Sequence, residues 1–285
     1  MRAFRSILLP ALILIGCTAN GEDGDAAQPA AGAEGQPFRV EPIGQFNEPW
    51  AMAFLPGGRQ ALITEQRGTL KLWTVGGEAV DVAGVPTVDY GGQGGFGDVI
   101  LHPDFASNRM VYLSWAEAGD GGTRGAAVGR ARLVTDGGAA RLEGLQVIWR
   151  QQPKVTGRGH YAHRLLFSPD GRHLFISSGD RQKFDPAQDM NANLGKILRL
   201  NPDGTVPADT PFASQGGVAA QVWSLGQRNP LGIAFAPDGR LWEVEMGPAG
   251  GDEMNLILRG RNYGYPIVSN GHHYDGRPIP HHSTP

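Results

Sequence analysis

A chain of 285 residues with a formal net charge of -3 and no dense lysine or arginine run lacks the electrostatic footprint of a nucleic-acid binder. Glycine (43) and proline (21) exceed average usage, yet aromatic and β-branched residues recur throughout, which excludes a disordered chain and points to many turns between short strands. The length suits one large all-β domain, since barrels, sandwiches and propellers commonly exceed ~200 residues as single domains.

In chain order, residues 1–16 open with the basic Met1–Arg5, continue through the apolar Ile7–Ile15 and lead to small residues before Cys17, the only cysteine. An apolar run this short cannot span a bilayer, which needs ~20 residues, so it reads as an export signal of the bacterial lipoprotein type. Cys17 becomes the lipid attachment site, and a lone cysteine forms no intrachain disulfide. Residues 17–36 are rich in Ala, Gly and acidic residues without apolar periodicity, the composition of a flexible tether. These features predict an exported lipoprotein on the periplasmic face of a membrane, held there by its lipid alone.

Residues 37–285 repeat a theme. Ala51–Phe54, Val99–Leu101, Leu165–Phe167 and Ile233–Phe235 each run as a strand into a turn containing Pro56, Pro103, Pro169 or Pro237. A second strand follows each turn: Ala61–Glu65, Met110–Trp115, His173–Ser178 and Leu241–Glu245. Hairpins recurring at such spacing are the mark of propeller blades, and a β-sandwich does not easily account for four related units. Gly92–Gly97 satisfies a Gly-x-Gly-x-x-Gly pattern, but a strand-like run follows where a dinucleotide fold needs a helix.

The segment Trp223–Phe235, with Met246–Leu256 and Gly260–Pro266 after it, sets a guanidinium, an amide and two acidic residues among glycine turns. Arg228 offers a fork of donors for an anionic oxygen, Asn229 donates and accepts, and Asp252 with Glu253 supplies hard oxygens of the kind calcium prefers. An anionic ligand beside a divalent cation is the chemistry implied.

The ordered motifs Gly91–Phe105, Gly159–Phe167, Asn193–Asn201, Gln227–Gly232 and Gly250–Asn255 resemble those of the soluble aldose sugar dehydrogenases, and the likeness runs from about Phe38 to the last residue. That family, similar also to the soluble quinoprotein glucose dehydrogenases, comprises six-bladed β-propellers that use pyrroloquinoline quinone (PQQ) and calcium (Ca2+). The resemblance implies an oxidoreductase that oxidises the anomeric carbon of an aldose sugar to a lactone and passes electrons to an external acceptor. It assigns Gln93 to the cofactor and sugar pocket, His160 as general base, Arg228 and Asn229 to the quinone, and Tyr274 beside the cofactor. Glu253 and Tyr263 match a structural calcium site, the tyrosine through its carbonyl, and the carbonyls of Gly247 and Pro248 match the cofactor-bound calcium. A neutral imidazole suits removal of the hydroxyl proton, and a positioned guanidinium suits developing negative charge.

His163 departs from the pattern, standing where the family commonly has a small residue, and receives no role. Asp180, Asp185 and Asp189 read as solvated loop acids, and Glu243 and Glu245 as one polar face of an ordinary strand. His272, His273, His281 and His282 read as solvated pairs near a terminus. Family members continue for another blade or two, so the resemblance implies a C-terminally incomplete propeller. Two other functions fit the composition: a calcium-dependent propeller lactonase or other hydrolase, and a non-catalytic binding propeller on the cell surface.

Overall fold

The computed structural model describes residues 38–282, so the export signal, the tether and Cys17 lie outside the described residues. The unit beginning at Ile43 is built from antiparallel strands packed as blades. Blade one is β1 (Pro49–Phe54), β2 (Gln60–Glu65), β3 (Thr69–Thr74) and β4 (Ala79–Ala83). Blade two is β5 (Phe96–Leu101), β6 (Met110–Ala118), β7 (Arg124–Asp136) and β8 (Ala139–Arg150). Blade three is β9 (Ala162–Phe167), β10 (Leu174–Ser178), β11 (Lys196–Leu200) and β12 (Val222–Leu225), and blade four contributes β13 (Pro230–Phe235), β14 (Leu241–Glu245) and β15 (Glu253–Ile257). The architecture is therefore that of a β-propeller, as the repeated hairpins predict. Those hairpins are β1–β2, β5–β6, β9–β10 and β13–β14, the two innermost strands of each blade.

Consecutive blades bury the two faces of each sheet against different neighbours, because side chains alternate along a strand. Leu62, Leu72 and Val82 of blade one meet Phe96, Val111 and Leu113 of blade two. Tyr112, Val128 and Trp149 of blade two meet Leu174, Ile176 and Leu198 of blade three. Phe175 and Ile197, one residue out of phase on the same strands, turn the other way to Leu241 and Ile257 of blade four. Blades one and two are also joined at their rims, where β4 pairs in parallel with β8 through Val82–Ala140 and Ala83–Arg141.

The inner strands β1, β5, β9 and β13 together line one axial cavity, walled by Met52, Val99, Leu165 and Ile233 among others. The loops that enter β5, β9 and β13 carry Gln93, His160 and Arg228 respectively. One close approach there is decisive. A Cβ on Gly97 of β5 would lie 1.8 Å from His163 Cε1 and 2.8 Å from Ser114 Oγ, so this position admits His163 only as glycine. Gly97→Ala is expected to cost about 1–3 kcal/mol through overpacking, read from the urea midpoint, with most of it recovered in the Gly97→Ala/His163→Gly double variant. Additive losses in that cycle would refute the coupling.

Candidate active site

Two loops supply the site. The first precedes β9 and carries His160, which is buried with φ +50°. Its ring Nδ1 lies 2.6 Å from Asp180 Oδ1, and its backbone N–H donates to Gln93 Oε1 at 2.7 Å. A carboxylate accepts, so Nδ1 donates, and the neutral tautomer leaves Nε2 as the acceptor. Asp180 is itself wholly buried, and its two oxygens also receive the N–H groups of Gln182 and Phe184. This corrects its reading as a solvated loop acid: the turn after β10 folds inward beneath His160.

The second loop joins β12 to β13 and carries Arg228 and Asn229. Both backbone N–H groups donate to Glu245 Oε2, at 2.6 and 3.2 Å. The guanidinium donates through Nη1 to the carbonyls of Met246 and Gly247 and through Nη2 to the Tyr274 hydroxyl at 3.1 Å. Its Nε is buried without a protein partner, and so is Asn229 Oδ1. The two loops are tied by the Asp180 N–H, which donates to the Arg228 carbonyl at 2.8 Å.

A cleft of about 270 Å³ opens over both loops, lined by His160, Phe184, Arg228, Pro248, Tyr265 and Tyr274. His273 and Arg277 also line it, so His273 is part of the cleft wall and not a solvated bystander. The site residues expected from sequence are thus largely gathered. His160, Arg228, Pro248 and the 72 % exposed Tyr274 share this cleft, while Gln93 and Asn229 face an adjoining cavity that also contains His163 and Trp50. Burial drives the His163 imidazole down to about 3, aided by Arg164 and Arg181, so it is neutral at working pH. Its Nδ1 engages Ser114 Oγ at 2.7 Å and its ring stacks on Trp50.

The cleft suits a planar anion. Aromatic rings and guanidinium groups wall it, and Arg228 Nε is a buried donor without an acceptor, which a carboxylate or quinone oxygen would satisfy. The fit to calcium at Gly247 and Pro248 is poorer, because Arg228 Nη1 already binds the Gly247 carbonyl at 2.6 Å, and a cation there requires that bond to break. Asp252 is engaged as well, capping the Gly247 N–H at 2.9 Å.

Glu253 and Tyr263 border a small void behind Arg228, together with Glu245 and His282. The Glu253 carboxylate accepts from Asn255 and Asn270 and contacts His282 Nε2 at 3.3 Å, while the Tyr263 hydroxyl donates to the Leu256 carbonyl. Glu245 stands directly across from Glu253 in the β14–β15 pair, and Glu243 faces Asn255. Both β14 glutamates are buried, which corrects their reading as an ordinary polar strand face: the Arg228 loop closes over Glu245, and Asn255 of β15 donates to Glu243. Burial raises Glu245 to about 8 despite its two backbone donors, and burial with the neighbouring Glu245 charge raises Glu243 well above the usual range. Hard oxygens are present here, but among the described residues no three His, Cys, Asp or Glu side chains are gathered to hold a metal.

Residues 46–285 match the glucose/sorbosone dehydrogenase family. The chain is 42% identical over 238 residues to the aldose sugar dehydrogenase YliI of Escherichia coli, covering 83% of this chain and 63% of that protein. The crystal structure of the soluble E. coli aldose sugar dehydrogenase in the apo form superposes with a TM-score of 0.78 at 42% identity, over 82% of this chain and 67% of that one. The PQQ-bound aldose sugar dehydrogenase of Streptomyces coelicolor gives 0.69 at 30% identity, over 83% and 67%. This chain therefore spans less than two thirds of the curated E. coli relative's length. With the match extending across nearly all the described residues and the propeller shared with these structures, the chain belongs to the glucose/sorbosone dehydrogenase family.

Proposed function

We propose that this chain is the site-bearing part of a PQQ-dependent oxidoreductase that oxidises aldose sugars at the anomeric carbon to lactones and delivers the electrons to an external acceptor. The observation that carries the reading is the buried His160–Asp180 pair, with His160 lining a cleft that Arg228 also lines. The relatives named as aldose sugar dehydrogenases, one of them with PQQ bound, support it.

His160 Nε2 is the proton acceptor for the anomeric hydroxyl, while Asp180 fixes the tautomer through Nδ1 and favours the imidazolium once the proton arrives. Gln93 holds the main chain of His160 through the amide N–H. Arg228 holds its guanidinium in the cleft wall as a fixed positive charge for an anionic oxygen, in a site shielded from water where such an interaction is worth more than in solution. Tyr265 and Tyr274, with ring centroids 5.9 and 5.5 Å from the guanidinium carbon, orient it and flank a planar ligand. PQQ, when bound, supplies the acceptor for the hydride that leaves the anomeric carbon. The resemblance would put calcium at Glu253 and the Tyr263 carbonyl, where among the described residues no three His, Cys, Asp or Glu side chains gather to hold it, so no step is assigned to the ion.

The export signal and Cys17 complete the proposal, making the protein a periplasmic lipoprotein, and the intact mass of the protein purified from membranes reports the lipid. The activity is tested by dye-coupled oxidation of a panel of aldoses by the purified chain and by a C-terminally extended form, each with and without PQQ and calcium. Turnover that depends on PQQ is expected. Silence from both forms would remove the dehydrogenase reading.

A further inference from the structure

Arg181 is among the most deeply buried side chains of the molecule, 1 % exposed, and each of its described hydrogen bonds ends on an amide oxygen. Nε donates to the Gly159 carbonyl at 2.8 Å, Nη2 to Gly157 at 2.7 Å, and Nη1 to Arg124 at 2.7 Å and to Gln151 Oε1 at 3.4 Å. The guanidinium lies 3.7 Å from the centroid of the Tyr161 ring. Withdrawing a cation from water is costly, and an apolar side chain of similar volume would commonly fill such a place at no loss of stability. The arrangement therefore calls for a reason beyond packing.

The Nε and Nη2 bonds share one target, while Nη1 anchors the guanidinium to Arg124 and Gln151. Gly157 and Gly159 lie in the segment that leads directly into His160, and the backbone N–H of Arg181 donates to the His160 carbonyl at 3.2 Å. His160, Ala162, His163, Arg181, Gln182 and Phe184 all have φ between +50° and +63°, a left-handed conformation that costs non-glycine residues about 1–3 kcal/mol each and persists only where surroundings enforce it. From this geometry we infer that Arg181 is a positioning residue for the reaction: its rigid fork pins the main chain of residues 157–160 so that the His160 ring meets Asp180 on one side and the cleft on the other. The inference rests on the reading of His160 as the base. A fork is needed because three carbonyls in different directions cannot be met by an ammonium group on a flexible stem with the same fidelity. Burial lowers the guanidinium to about 10, with Tyr161, Arg124, Asp180 and Asp89 facing it, so it remains charged at working pH.

The test compares Arg181→Lys and Arg181→Met with the parent in the full chain. In hydrogen–deuterium exchange, peptides covering residues 157–163 are expected to exchange about tenfold faster in Arg181→Lys, while peptides from β2 and β3 are unchanged, since the released bonds are local. In the enzyme supplied with cofactor, kcat is expected to fall about a hundredfold, the scale of a misplaced catalytic group, with the sugar KM within about twofold. Arg181→Met measures the full loss if it folds, and Arg181→Lys carries the test if it does not. Unchanged exchange over 157–163 overturns the inference, and so does faster exchange with unchanged kcat. If the parent shows no dehydrogenase activity, the reading of His160 fails and takes the catalytic part of the inference with it, while the exchange experiment still decides whether Arg181 pins the loop.

Discussion

Asp180→Asn is expected to lower kcat by about a thousandfold or more while leaving the fold intact. The amide is isosteric with the carboxylate, and with its oxygen in the Oδ1 place it still accepts from the Gln182 N–H, losing only the Phe184 N–H received on Oδ2. If its nitrogen faces His160 instead, the ring must accept at Nδ1 and carry its proton on Nε2, the wrong nitrogen for a base. Loss of the correct tautomer and of the charge that favours imidazolium formation removes general-base catalysis, worth about 10²–10⁴. The measurement is the kcat pH profile of both proteins at saturating PQQ, with thermal unfolding as the control. A variant within tenfold of the parent would show that Asp180 does not set the state of His160.

The second large effect concerns stability. Glu245 is buried and raised from 4.5 to about 8, by burial and by Glu253, while the bonds from Arg228 and Asn229 act in the opposite direction. A carboxyl raised in the folded state takes up a proton on folding anywhere between those two values. The unfolded chain binds fewer protons in that window, so stability falls as pH rises through it. The loss is expected to reach the order of a few kcal/mol between about pH 5 and pH 8. Glu245→Gln keeps an oxygen for the Arg228 and Asn229 N–H groups and removes the ionisation, so its urea midpoint should vary much less over the same range. A parent midpoint that is flat with pH would contradict the burial argument. Added calcium should restore the parent at pH 8 if the ion binds the Glu253 cluster, because it replaces the proton as the compensating charge.

The inner half of each blade was legible because it couples period-two apolar runs to Pro-Asp or Pro-Gly turns, as at Leu165–Phe167 before Pro169. The outer strands were not. β8 interleaves Arg141, Glu143 and Gln146 with its apolar residues and β4 is only five residues long, so neither announces itself without the neighbouring strand that buries it. The same limit governs the site. His160, Gln93, Arg228 and Asn229 lie in local glycine-bordered motifs, and the structure sets them on two cavities, His160 with Arg228 and Gln93 with Asn229. Asp180 and Arg181 were missed because their burial depends on a turn that folds back onto a loop some twenty residues earlier. Gly179 was the available signal: a Cβ there would stand 2.1 Å from the His160 carbonyl oxygen, so the main chains of the two loops touch. Glu243 and Glu245 were missed for a different reason, since alternation along β14 distinguishes two faces but does not tell water from another loop.

The bond between the Asp180 N–H and the Arg228 carbonyl belongs to the main chain and is indifferent to which side chains flank it. It spans blades three and four, and so fixes the distance between a proton acceptor and an anion holder that sit on separate repeats. Propellers are often regarded as modular, with repeats open to exchange between homologues. In this chain the seam between blades three and four is a poor place to cut, because a hybrid joined there inherits two halves of one instrument whose alignment was set by backbone contact. Chimeras that carry residues 157–247 from a single parent keep that alignment, and diversity is better drawn from blades one and two.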